Sequence, residues 1–440
     1  MLSWKQATIK PSNVLFVMPG FYGSVAWITT LVLYSLRLVS WNAPSVLSLS
    51  LFWVCGLSYF LSACCMYGLY RAWLLRTRQL AAGAGAGECP PSVRAVLLVL
   101  HLVGFCGLGL YVYEFSAALG GPARFFLLLI DQSHVIRWQA QYTDTIGTQL
   151  SYAGWIAAAG TSLLYAAGKL PLRWLALPLA QVVGNSLYID RTRPVWIIFV
   201  SAVVVVPLMG PLPLRRALKI LLVGALAGTI LFLAVGVWVG KISEYAVVDG
   251  KSSLSPSLQN LYMYATGGFA YLDDLIARGS FKFWGIGHTA YPLARILALL
   301  KLGPVPASQV LDFRSVPYEF NYGTALEPFY SDGGILGLIV GIVLITLGAD
   351  LAALLCWRAN TVFGWFAAAN ICFASAMSFT TPKLSSFPLW LFVGFALLGS
   401  AIPGAKVLVQ RNRARKLRNR DIPAGDGWNN RSQLCDPGGK

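Results

Sequence analysis

At 440 residues, with 57% hydrophobic and only 12% charged side chains, the chain is too apolar for a soluble globular protein. Apolar windows of about 18–22 residues recur, each long enough to cross a bilayer as a helix. The formal net charge of +17 is therefore expected to face lipid headgroups rather than nucleic acid.

Met1–Lys10 is polar and basic, and no small-residue cleavage site follows the first apolar run, so no cleavable signal peptide is expected. Ten membrane spans are predicted, roughly at 14–36, 45–68, 95–113, 151–167, 173–189, 194–211, 217–240, 335–356, 361–379 and 386–404. With the N-terminus inside, the inside segments carry 21 of the 34 basic residues against five acids. The outside segments hold 13 basic and 12 acidic residues. That asymmetry is what the positive-inside rule demands, and it puts both termini in the cytoplasm. The expected fold class is an all-α polytopic membrane protein. It has one integral membrane domain over 1–405 and a basic cytoplasmic tail over 406–440. The run Arg411–Arg420 reads as a headgroup anchor, and the Gly- and Asn-rich remainder as disordered.

Between the spans, Arg71–Val93 reads as a flexible linker because of its Ala-Gly repeats and Pro90-Pro91. The outside segment 114–150 contains Pro122–Arg137, apolar and polar by turns, which suits a helix lying along the interface. A very short outside turn, Tyr188–Pro194, carries Arg191 and Arg193 at the mouth of a helical hairpin. Snorkelling to headgroups or pairing with Asp190 would explain them, but guanidinium is also the group best suited to bidentate phosphate binding. In the long outside segment 241–334, Leu258–Arg278 and Ala290–Leu302 have helical apolar spacing. They are too short or too charged to span, so they are expected as interfacial or re-entrant helices. No cysteine falls in an outside segment, no CxxC or HExxH spacing occurs, and there are three histidines. Neither a disulfide framework, a metal site nor a cofactor is expected.

The densest polar stretch is Tyr318–Gly337, with three carboxylates, an amide, a threonine and three tyrosines next to a long apolar run. Hydrocarbon cannot solvate such groups, so water or a ligand must. Here Asn321-Tyr-Gly-Thr324, followed by Tyr330-Ser-Asp-Gly-Gly-Ile-Leu-Gly337, resembles the signature of the Wzy-type O-antigen and exopolysaccharide repeat-unit polymerases of bacteria. The Asp190-Arg-Thr-Arg193 turn is similar to that family's Arg element at the same position along the chain, with Asp190 and Thr192 where Gly or Ser is usual. Whether Arg191 or Arg193 is the equivalent residue stays open.

The resemblance implies the lipid-sugar glycosyltransferase fold that O-antigen ligases share, placed in the bacterial inner membrane with a periplasmic active site. It implies transfer of a growing glycan from undecaprenyl pyrophosphate to the non-reducing end of the next lipid-linked repeat unit. Its partners would be that lipid-linked oligosaccharide, membrane lipids and a chain-length regulator protein. Such a reaction needs cations on the pyrophosphate, a base for the acceptor hydroxyl, and stacking faces for the sugars. The candidate cations are Arg191 and Arg193, then Arg314, Arg137 and Lys282. The base is one of His288, in Trp284-Gly-Ile-Gly-His288-Thr289, Glu319 or Asp332. Asp332 could equally cap the helix expected to begin at 333–335, and Glu327 could position the loop. Asn321, Tyr322, Thr324, Tyr330 and Trp284 are the candidate sugar contacts. An aromatic belt or local loop closure is the alternative for them. An O-antigen ligase is the near alternative. A flippase would instead show paired repeats and polar mid-span groups, of which only Gln181, Asn185 and Asn370 stand out.

Overall fold

Prolines start many of the helices, because a first-turn residue has no intrahelical acceptor for its N–H and proline has none to lose. In the computed structural model, Pro19, Pro91, Pro122, Pro256, Pro292 and Pro328 all stand in first turns. The structure describes residues 11–83, 89–132, 135–136, 146–188, 192–210, 212–238, 252, 254–279, 285–304, 314–315, 319–320 and 323–399.

The first nine helices are α1 Pro11–Leu15, α2 Pro19–Ser35, α3 Val46–Gly83, α4 Pro91–Ala118, α5 Pro122–Asp131, α6 Ile146–Ala166, α7 Ala176–Ser186, α8 Thr192–Val205 and α9 Leu214–Trp238. They are followed by α10 Pro256–Ala277, α11 Tyr291–Leu299, α12 Glu327–Val343, α13 Ala349–Arg358, α14 Val362–Ala376 and α15 Phe387–Gly399. A π-helical turn, Leu344–Gly348, joins α12 to α13. Among the described residues the regular structure is thus helical, apart from a short strand pair in the loop before α12. There β1 (Arg314–Ser315) and β2 (Glu319–Phe320) form a two-stranded antiparallel pair, Arg314 opposite Phe320.

Helices fall in each of the ten expected windows, but among the described residues three are long and apolar enough to cross a membrane alone. They are Val46–Thr77, Pro91–Ala118 and the continuous Glu327–Arg358. Helix α8, extended by a 3-10 turn to Leu208, and α14 are apolar but shorter. Outward-facing Leu57, Phe60 and Leu61 on α3, with Leu336, Ile339 and Val340 on α12, leave apolar stripes that water would not tolerate.

Several expected boundaries shift. The 71–93 segment is not all linker: α3 continues to Gly83, because its Leu, Arg, Gln and Ala residues favour helix after the hydrophobic window ends. The helix expected from about 335 begins at Glu327, with an acid and a proline in its first turn. Gly333-Gly334 only kinks it, Gly334 taking φ 57°, a conformation open to glycine. Helices occur at α5, α10 and α11 as expected. However, α10 is buried on every face from Thr266 to Asp273, more than a helix lying on a surface would be.

The two largest apolar clusters among the described residues hold the bundle. One centres on α14, buried throughout Val362–Ser375, and gathers Trp155, Trp196, Trp357, Trp365 and Phe392. The other packs Trp27, Phe52, Tyr59, Phe269 and Phe329 between α2, α3, α10 and α12. Helices α4 and α6 cross so closely that a Cβ on Gly104 would lie 2.6 Å from the Gly154 Cα. Small residues permit that approach.

The break between α1 and α2 leaves backbone groups for other helices to satisfy. The Trp357 indole donates to Val17 O at 3.0 Å. The buried Asp350 carboxylate of α13 accepts from Gly20 N at 2.8 Å and from Ser62 Oγ at 2.5 Å. An acid from one helix thus sits at the positive end of another.

Candidate functional site

Helix α8 begins within the Arg-bearing turn, which puts Arg193 on its first turn. The half-buried guanidinium lies 3.8 Å from the Tyr188 ring centroid, 5.3 Å from that of Tyr152 and 5.8 Å from that of Trp155. Its Nη1 donates to Ser151 Oγ at 3.4 Å. Tyr188 is itself stacked on Tyr111, with centroids 3.8 Å apart. Aromatic faces hold a cation through their quadrupole without cancelling its net charge, so this box orients Arg193 while leaving it cationic. Arg191 lies outside the described residues.

A second cation joins the same cluster. Lys383, in the loop between α14 and α15, has its ammonium 5.4 Å from the Trp196 ring centroid. Trp196 in turn lies 5.4 Å from Trp155, and Tyr152, Trp155 and Trp196 all pack on Phe392 of α15. Sequence reasoning missed Lys383. Its signal was present: it is the one basic residue in the polar turn Thr380-Thr-Pro-Lys-Leu-Ser385 between two apolar windows.

The same loop reaches the polar stretch before α12. Ala325 N donates to Ser378 O at 2.7 Å, and Gly268 of α10 passes against Phe379 O and the Thr324 methyl. Thr324 is fully buried, and its hydroxyl accepts from Leu326 N at 3.2 Å, closing the turn locally. Tyr330 is buried in the α2–α10–α12 cluster. Glu327 is also buried, and accepts from Ser331 Oγ one turn later on its own helix.

Asp332 does not cap its own helix. Its carboxylate accepts from His288 N at 3.0 and 3.1 Å and from Thr289 N at 2.7 Å, while its carbonyl accepts from Gly285 N at 2.9 Å. Backbone amides are where an ionised carboxylate finds strong partners, so Asp332 fixes the Gly285–Ala290 turn that leads into α11. That turn brings His288 beside α12, and α11 packs against α15. Arg314 and Glu319 sit in the facing strands β1 and β2, one residue apart in register. Arg137, Lys282, Trp284, Asn321 and Tyr322 lie outside the described residues.

The three mid-helix amides act within the bundle. Asn185 accepts from the Trp155 indole at 2.9 Å and Asn370 from that of Trp196 at 2.7 Å. Gln181 donates to His101 O at 3.1 Å. Two of them therefore orient the aromatic rings on which the cations rest. Compared with family models, curated proteins and solved structures, the chain finds no match in any of the three.

Proposed function

We propose that the chain is a membrane glycosyltransferase that polymerises lipid-pyrophosphate-linked oligosaccharide repeat units. In this proposal the helices make ten crossings of the bacterial inner membrane, with both termini cytoplasmic and the site on the periplasmic face. One observation carries the proposal. Arg193 and Lys383, far apart in sequence, rest on one aromatic cluster, and the loop bearing Lys383 also bonds to the Thr324–Ala325 segment.

The chemistry follows from that arrangement. The donor sugar's anomeric carbon breaks its bond to the pyrophosphate oxygen and forms one to the acceptor hydroxyl. Negative charge grows on the departing undecaprenyl pyrophosphate, where Arg193 and Lys383 offset it. The acceptor's proton passes to a base in reach. Of the three contenders His288 is favoured, since Asp332 spends its oxygens on backbone amides and holds the His288 turn in place. Glu319 remains the carboxylate alternative. A ligase differs only in acceptor and would use the same residues.

Deletion of the gene in its host, followed by electrophoresis of the surface glycan, tests the proposal. Collapse of a ladder to material bearing a single repeat unit is the expected result. Complete loss of glycan, with lipid-linked units held on the cytoplasmic side, would overturn it in favour of a flippase.

A further inference from the structure

A cavity lies away from the arginine–lysine cluster, at the turn between α2 and α3. It has a volume of about 210 Å³ and is lined by Tyr34, Arg37, Trp41, Asn42, Pro44 and Leu49, among others, far more room than one water needs. The turn is held open rather than collapsed. Three side chains of α10 brace it: the Tyr262 hydroxyl donates to Leu33 O at 2.7 Å and accepts from Leu38 N at 3.3 Å. The Trp41 indole donates to Thr266 Oγ1 at 3.0 Å, and Asp273 accepts from Ser45 N at 3.1 Å. Burial raises the Tyr262 phenol above its ordinary value, with the Leu38 amide pulling the other way, so it keeps the proton it donates.

Two features of this cavity are unexplained by packing. Arg37 follows the last turn of α2 with φ 49°, in the left-handed region where helices ordinarily place glycine. A non-glycine residue kept there at a steric cost points to a use for its side chain. Tyr34 is 4% exposed, and its hydroxyl is buried with no hydrogen-bond partner among the described residues. No carboxylate among the described residues is seen within ion-pair distance of Arg37. The exposed Arg37 guanidinium and Asn42 amide supply donors at the cavity, which suits an anion. Around the cavity, Leu36, Leu38, Val46 and Leu47 stand exposed, Val46 by 83%. A socket carrying these donors, with an apolar apron, matches a molecule that carries a phosphate on hydrocarbon chains.

We infer that the Tyr34–Arg37–Asn42 cavity binds the phosphate of a membrane phospholipid, whose acyl chains lie on the Leu36–Leu38 and Val46–Leu47 surface. This site needs no catalytic role and stands apart from the glycosyl-transfer proposal.

Native mass spectrometry of the full chain in detergent, titrated with phosphatidylglycerol, tests it. The expected result is a retained phosphatidylglycerol adduct that diacylglycerol does not form, that excess inorganic phosphate does not displace, and that Arg37→Gln weakens about tenfold. Arg278→Gln, which removes an exposed arginine elsewhere, should leave it unchanged. Arg37→Gly relieves the left-handed backbone, so it should keep or raise the unfolding midpoint while losing the adduct. That separates lipid binding from folding. Equal adducts in wild type and both Arg37 variants would overturn the inference. So would equal binding of diacylglycerol, which would leave only an apolar surface, or full displacement by inorganic phosphate, which would make it a site for the free anion.

Discussion

Ala325 and Ser378, more than fifty residues apart in sequence, are joined by a 2.7 Å hydrogen bond from the Ala325 amide to the Ser378 carbonyl. The Ser378 hydroxyl is just as engaged: it accepts from the Trp27 indole at 2.7 Å and the Tyr59 hydroxyl at 3.1 Å, and donates to Ser375 O at 2.6 Å. One serine therefore ties α2 and α3 to the loop that carries Lys383. Ser378→Ala leaves two buried donors unsatisfied, and should destabilise the protein by about 2 kcal/mol or more. A clear fall in the unfolding midpoint in detergent is expected, with the glycan ladder weakened in proportion. An unchanged midpoint would mean that these donors find other acceptors and that the loop is held elsewhere.

What the sequence made legible follows from where its signals lie. Apolar helices in the expected windows, Arg193 at the start of one of them, and helices near α5, α10 and α11 were readable because hydropathy and helical spacing are local properties. The start of α12 was misplaced by treating Gly333-Gly334 as a boundary, although Glu327-Pro328 carried the stronger start signal. Lys383 was overlooked because its meaning depends on Trp196, nearly two hundred residues earlier, which no window along the chain can bring to it. The capping alternative for Asp332 failed for the same reason: its partners are the amides of residues 288 and 289, not those of its own helix.

That geometry separates positioning from proton transfer. Asparagine at 332 still offers a carbonyl oxygen to the His288 and Thr289 amides, whereas alanine offers nothing. If Asp332 positions the turn, Asp332→Asn should keep much of the polymer ladder and Asp332→Ala should lose it along with stability, by about 1–3 kcal/mol. His288→Ala should abolish the ladder while the unfolding midpoint stays put. Equal inactivity of Asp332→Asn and Asp332→Ala, both folded, would instead assign the proton transfer to Asp332.

Asp350 carries a comparable distinction within the bundle. Both of its oxygens are occupied by neutral donors, Gly20 N and Ser62 Oγ, so shape and hydrogen bonding rather than charge should decide its role. Asp350→Asn should fold with a near-native midpoint. Asp350→Leu strands two buried donors at the start of α2 and should cost about 2–4 kcal/mol. Should Asp350→Asn prove as damaging as Asp350→Leu, the negative charge at the α2 N-terminus would be the feature that matters.

The arginine–lysine cluster makes the most demanding prediction. Removing one donor aimed at developing transition-state charge ordinarily costs about 10²–10³ in turnover, so Arg193→Ala and Lys383→Ala should each reduce polymerisation by that order. Arg193→Lys should recover little, because a planar guanidinium stacked 3.8 Å from the Tyr188 ring is not replaced by an ammonium. Lys383→Arg keeps both charge and ring contact with Trp196 and should recover more. If the two cations serve one pyrophosphate, the double alanine variant should fall short of the product of the single losses, since the second removal acts on a site already broken. The readout is the rate of lipid-pyrophosphate release by purified protein, alongside the unfolding midpoint. Losses that multiply would show the two cations acting independently. A midpoint that falls with activity in every variant would reduce both to packing partners of the aromatic cluster.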